Sequence, residues 1–106
     1  MMHDRADVRI TPSKGGVDER AIAGWYDEQG LAARRWSSAA GDRFAPHRHA
    51  YHKVLHCLRG SITFQIVAHG RIFELKPGDR LDVPAGVEHS AVAGPQGCDC
   101  IEAPVY

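Results

Sequence analysis

The sequence predicts an all-β barrel or sandwich with one short helix near its amino terminus, and three observations carry that prediction. Downstream of Gly30, glycine and proline break the chain at close intervals, at Gly41, Pro46, Gly60, Gly70, Pro77-Gly78, Pro84 to Gly86 and Gly94 to Gly97. Many short segments separated by turn residues are the mark of a barrel or sandwich. Within them apolar residues alternate with polar ones: Ile62, Phe64 and Ile66 in Ser61–Val67, then Phe73 and Leu75 in Arg71–Leu75, then Leu81 and Val83. A two-residue period gives a strand one buried face. Helical spacing is confined to a single segment, where Ile22, Trp25 and Tyr26 fall at i, i+3, i+4.

Taken in order, residues 1–16 contain few apolar side chains and end in Pro12-Ser13-Lys14-Gly15-Gly16, which predicts an arm or an edge strand, Val8-Arg9-Ile10, closed by a turn. From Asp18 to Gln29 the spacing predicts a helix, with Asp18 placed to cap its start and Gly30 its end, although Gly24 weakens its middle. His69-Gly70 and Lys76-Pro77-Gly78-Asp79 are turn chemistry between strands. A chain of 106 residues holds one domain, so residues 17–106 are expected to form a single barrel.

Composition narrows the function. Thirteen basic residues balance thirteen acidic ones, and neither sign gathers into a run, so no footprint for nucleic acid or an anionic membrane is expected. The amino-terminal residues Met1–Asp7 lack the apolar core of a secretory signal and no apolar run reaches membrane-spanning length. A cytoplasmic location is therefore expected. The cysteines, Cys57, Cys98 and Cys100, contain no C-x-x-C pair and predict free thiols rather than a disulfide framework.

Seven histidines are present, and His47, His49, His52 and His56 fall within ten positions. His47-Arg48-His49 is an H-x-H pair whose side chains project together if the segment is extended. Alone, such a pair is weak evidence, and a surface or core placement explains it more readily than a metal site.

Two stretches are more specific. Gly41, His47, His49 and Gly60 match G-x5-H-x-H-x3-E-x6-G, with Lys53 at the glutamate, and Gly78, Pro84, Gly86 and His89 match G-x5-P-x-G-x2-H-x3-N, with Ala93 at the asparagine. The region resembles the two motifs of the cupin superfamily. The resemblance implies a double-stranded β-helix, or jelly-roll, barrel in which His47, His49 and His89 hold one divalent transition metal; iron, nickel, zinc, manganese and copper all accept imidazole. In this picture Gly60 reverses a hairpin and Gly86 makes the bend that brings His89 to the pair.

Lys53 departs from the family pattern. An ammonium aimed at a divalent ion is repelled by it, so the side chain bends away, loses its proton, or belongs to a barrel without metal. Three histidines without a carboxylate are similar to the sites of cupin dioxygenases acting on thiols or β-diketones, and Lys53 would then meet a substrate carboxylate or enolate as a catalytic residue. The bland alternative is that Lys53 reaches out to the barrel mouth. A bulge would instead turn His52 inward as a fourth ligand.

By parity His56 faces away from the cavity and Cys57 into it, while Cys98 and Cys100 share one strand face. Glu88 should face away from His89, leaving Glu102 as the better carboxylate to supplement the site. Trp25, Tyr26 and Trp36 are expected to pack in the core, and Asp79 to fix a turn. The expected function is that of a metal-binding enzyme, a dioxygenase-like oxidoreductase or an isomerase, acting on a small and possibly anionic molecule. The alternative is a non-enzymatic barrel binding a sugar or organic acid without essential metal. Small cupins often pair, so a homodimer is expected.

Overall fold

A computed structural model of the chain describes residues 7–106; residues 1–6, most of the stretch read above for a secretory leader, lie outside the described residues. Strand β1 (Arg9–Thr11) precedes helix α1 (Glu19–Glu28), and six strands follow: β2 (Arg34–Ser38), β3 (Arg43–His47), β4 (His52–Ile66), β5 (Ile72–Leu75), β6 (Arg80–Val83) and β7 (His89–Val105). All pairings are antiparallel. The chain is thus the predicted all-β jelly-roll, with β1 at a sheet edge beside β6.

Two long strands organise the barrel. The first half of β4 lies between β6 (Lys53↔Val83, His56↔Arg80) and the second half of β7 (His52↔Val105, Cys57↔Cys100). Its second half lies between β5 (Ile62↔Leu75) and the first half of β7 (Ile62↔Ala93, Ile66↔His89). With β2 on the far half of β7 and β3 on its near half, the order is β1-β6-β4-β7-β2 on one face and β5-β4-β7-β3 on the other. Leu55, Cys57, Ile62, Phe64, Ile66, Leu75, Leu81, Cys98 and Cys100 fill the space between the faces.

One expectation is corrected here. Gly60 does not reverse a hairpin, and Gly94 to Gly97 do not end a strand; both lie inside long strands, β4 and β7. The register shifts between Cys57 and Arg59 and again between Gly60 and Ile62. Gly60 and Gly97 have φ of +70° and +74° where the strands bend from one face to the other. Bulges and glycines bend a strand without breaking its ladder, so local composition resembles a turn while the pairing continues.

Helix α1 forms as its spacing predicts. Asp18 caps it by accepting from the Ala21 amide at 3.0 Å, and Gly30 follows with φ of +68°. Gly24 is tolerated in open space. Val54 to Leu58 are buried without alternation, because the outer side of β4 is covered too: Tyr26, Ile22 and Trp25 pack on Val54, Leu58, Ile101 and Ala103. Beneath the helix the Tyr26 hydroxyl lies 2.9 Å from His56 Nδ1 and donates to the Ile101 carbonyl at 3.2 Å.

Burial, followed by the Arg80 charge, pushes His56 down to about 4. A histidine depressed in the fold stays neutral there while the unfolded chain takes up a proton below about pH 6.5. Stability from this group is therefore full above about pH 6.5 and lost as the pH falls toward 4, by as much as about 3 kcal/mol. Urea unfolding across that range should show a steeper decline in the parent than in His56→Gln; equal slopes would remove His56 as the cause.

Candidate metal centre

Two strand ends and the connection between β3 and β4 bring the histidines together. His47 closes β3 and His89 opens β7, and the two are register partners. His49 lies beyond the end of β3, so the alternation of a regular strand is not what aligns it with His47. The Gly86 amide donates to the His49 carbonyl at 2.8 Å, and Gly86, with φ of +81°, makes the bend that delivers His89 as expected. One ligating atom from each of the three lies within 4.8 Å of the others, and the ring centroids are 4.4 to 5.4 Å apart.

The protonation pattern is set locally. His47 Nδ1 lies 2.8 Å from the Ala45 carbonyl and His89 Nδ1 lies 2.9 Å from that of Val87. A carbonyl can only accept, so each Nδ1 carries a hydrogen, and Nε2 is the lone-pair atom of the neutral ring. His49 Nε2 and His89 Nε2 are buried without a hydrogen-bond partner among the described residues. Burial first, then the charges of Lys53 and His47, holds His49 below the usual imidazole range. Burial likewise lowers His89, against the opposing Val87 carbonyl. Neutral imidazoles in this tautomer are suited to ligation.

His47 and His49 line a cavity of about 600 Å³ together with Trp36, Phe44, Tyr51, Ile62 and Phe64, and Lys53 and Glu102 are among its lining residues. His49 stacks on Tyr51 at 5.0 Å. Lys53 does not extend to solvent: its ammonium lies 3.1 Å from Glu102 Oε1, each side chain being 12% exposed. The Trp36 indole donates to the same oxygen at 2.9 Å, and Arg34 lies 3.7 Å from the other. The site thus has a carboxylate, supplied by the last strand, and it faces a lysine.

Other candidates fall elsewhere. His52 is not a fourth ligand; it pairs outward with Asp82 at 3.0 Å, because no bulge intervenes at the start of β4. Glu88 faces away from His89 and meets Arg48 at 3.3 Å. Asp79 fixes its turn by accepting from the amides of Ser13 and Lys76. Trp25 and Tyr26 pack beneath the helix as expected. Trp36 lines the cavity instead of merely filling the core, and its bond to Glu102 was hidden because it depends on the β2–β7 register (Arg34↔Glu102, Trp36↔Cys100).

Comparison with known proteins places this geometry in a family. A cupin domain model matches residues 34–98. Over 51 residues the chain is 43% identical to quercetin 2,3-dioxygenase of Bacillus subtilis (strain 168), a match spanning 47% of this chain and only 14% of that enzyme. An RmlC-like cupin from Shewanella frigidimarina superimposes with a TM-score of 0.62 at 28% identity, covering 70% of this chain and 64% of the other. A variant of oxalate decarboxylase from Bacillus subtilis gives 0.63 at 26%, covering 70% and 20%. A DUF861 family protein from Thermotoga maritima gives 0.68 at 12% over 93% and 100% of the two chains, a likeness of fold. With the family model spanning well over half of its length and both histidine motifs folded to one point, the chain belongs to the cupin domain family.

Proposed function

We propose that this cupin is a metal-dependent enzyme acting on a small organic molecule, a dioxygenase-like oxidoreductase or an isomerase, with one divalent transition metal held by Nε2 of His47, His49 and His89. The observation that carries the reading is the pair of buried, unpartnered Nε2 atoms on His49 and His89. Leaving a buried acceptor unsatisfied costs about 1–3 kcal/mol each, and converging neutral imidazoles are a donor set that transition metals accept. When bound, the metal supplies a Lewis acid or a redox centre.

The chain's own residues do the rest. The aromatic walls exclude water and take an apolar or planar body; a cavity of about 600 Å³ suits a small substrate. Lys53 offers the ammonium hydrogens not used by Glu102 to an anionic group, a carboxylate or enolate, while Glu102, Trp36 and Arg34 hold it in place. Local likeness to quercetin 2,3-dioxygenase and oxalate decarboxylase supports oxidative or acid-directed chemistry at such a site.

Elemental analysis of the untagged protein, beside a His47→Ala/His49→Ala variant shown to be folded by circular dichroism, tests the proposal. About one equivalent of metal is expected in the parent and none in the variant. If neither retains or takes up iron, nickel, manganese, copper or zinc, the metal enzyme falls and a metal-free barrel for a small anionic ligand takes its place. With the metal known, dioxygen uptake in the presence of flavonols and β-diketones separates oxygenase from isomerase.

A further inference from the structure

The interior holds a second reactive cluster, apart from the histidines. Cys57, Cys98 and Cys100 are free thiols, all at most 4% exposed, in one apolar cluster. Cys57 and Cys100 are direct register partners on β4 and β7. Both main-chain groups of Cys57 are engaged on the opposite side: its amide donates to the Asp79 carbonyl at 3.1 Å, and its carbonyl accepts from the Gly78 amide at 2.8 Å. Toward Cys100 the rung is therefore of the non-hydrogen-bonded kind, in which Cα atoms stand about 4.5 Å apart and side chains are closest. That separation falls within the range of about 4.4–6.8 Å that a disulfide spans.

Cys98 is excluded from this rung. It pairs with Gly60 and Ser38, and its thiol lies 3.2 Å from the Ser38 hydroxyl. Two residues along one strand face place its Cβ about 6–7 Å from that of Cys100, beyond the roughly 4.5 Å a disulfide allows.

We propose that Cys57 and Cys100 are a redox-active pair that a hydroperoxide, hydrogen peroxide being the smallest, oxidises reversibly to a cross-strand disulfide. The Cys57 thiolate attacks one peroxide oxygen; the O–O bond breaks, hydroxide leaves and takes up the released proton as water, and Cys57 becomes a sulfenic acid. The Cys100 sulfur then attacks the Cys57 sulfur, its proton leaving with the sulfenic hydroxyl as a second water. Two thiol hydrogens and two electrons pass to one peroxide, giving one disulfide and two waters. Interaction with Cys57, together with burial, holds the Cys100 thiol well above the ordinary range, which leaves Cys57 as the attacking sulfur.

The bond would lie one same-face rung from Glu102. Leu55↔Glu102 is the neighbouring rung with the same parity, so a disulfide at Cys57–Cys100 ties together the strands that carry Lys53 and Glu102.

The test uses the full-length, untagged protein after dialysis against a chelator, exposed under native conditions to hydrogen peroxide or diamide and then alkylated on unfolding. Intact mass should fall by two hydrogens, one thiol should remain to alkylate, and non-reduced peptide mapping should find Cys57 joined to Cys100. Dithiothreitol should reverse all three. Because the link closes a long loop, Tm should rise on the order of 10 °C. Cys98→Ser should keep the link and Cys57→Ser lose it. Three alkylatable thiols after oxidation, or a link through Cys98, would overturn the proposal; mapping of the parent decides the matter even if a variant fails to fold.

Discussion

Gly60→Ala should leave little folded barrel at 37 °C. A Cβ at position 60 would stand 2.0 Å from the Gly97 carbonyl oxygen and 2.9 Å from its carbon, and those atoms belong to the bend of β7. A φ of +70° costs an L-residue about 1–2 kcal/mol, and forcing the two bends apart adds about 1–3 kcal/mol more. A total of about 2–5 kcal/mol removes much of the 5–15 kcal/mol that holds a typical domain together. The expected readout is insoluble expression, or a Tm lowered by roughly 15 °C. Gly24→Ala is the control, since nothing lies within 4 Å of the added carbon and the residue is helical; it should stabilise by about 0.5–1 kcal/mol. A Gly60→Ala protein melting with the parent would mean that the close approach of the two bends is not as described.

Lys53→Glu should tighten metal binding by about 10²-fold while loosening the metal-free protein. The ammonium depresses the neighbouring imidazoles through its charge and acts on a divalent ion with the same sign. Replacing it by a carboxylate changes the local charge by two, and at an effective dielectric constant of about 20 a unit charge within several ångströms of an ion is worth on the order of a few kcal/mol before screening. The substitution also sets a second carboxylate against Glu102, which has lost its partner at 3.1 Å, so the Tm without metal should fall and recover steeply on titration with nickel or zinc. Calorimetric titration reads the affinity directly. Equal or weaker binding in a folded variant would show that Lys53 does not act on the centre.

How much of this could be read in the residues follows from the range of each interaction. Helix α1 was legible because its cap, its spacing and the closing Gly30 all lie within one short segment. The histidine triad was legible because His47, His49, Gly86 and His89 sit at spacings with a family meaning, although the route by which His49 arrives, past the end of β3, was not. Gly60 and Gly97 misled because a bend between sheets and a reversing turn call for the same residue; only the continuing ladder, an interaction between distant residues, tells them apart. The Lys53–Glu102–Trp36 arrangement was illegible for the same reason, being fixed by the register of three strands.

The membership of β4 and β7 in both faces also governs how the molecule assembles. Neither face can form without committing the same two strands to the other, so no half-barrel persists as a stable intermediate and unfolding should be all-or-none. The rungs that unite them join residues as far apart as His52 and Val105, and loop-closure entropy must be overcome before those contacts stabilise anything. The barrel should therefore fold slowly for its size, on the millisecond-to-second scale of domains dominated by non-local pairing.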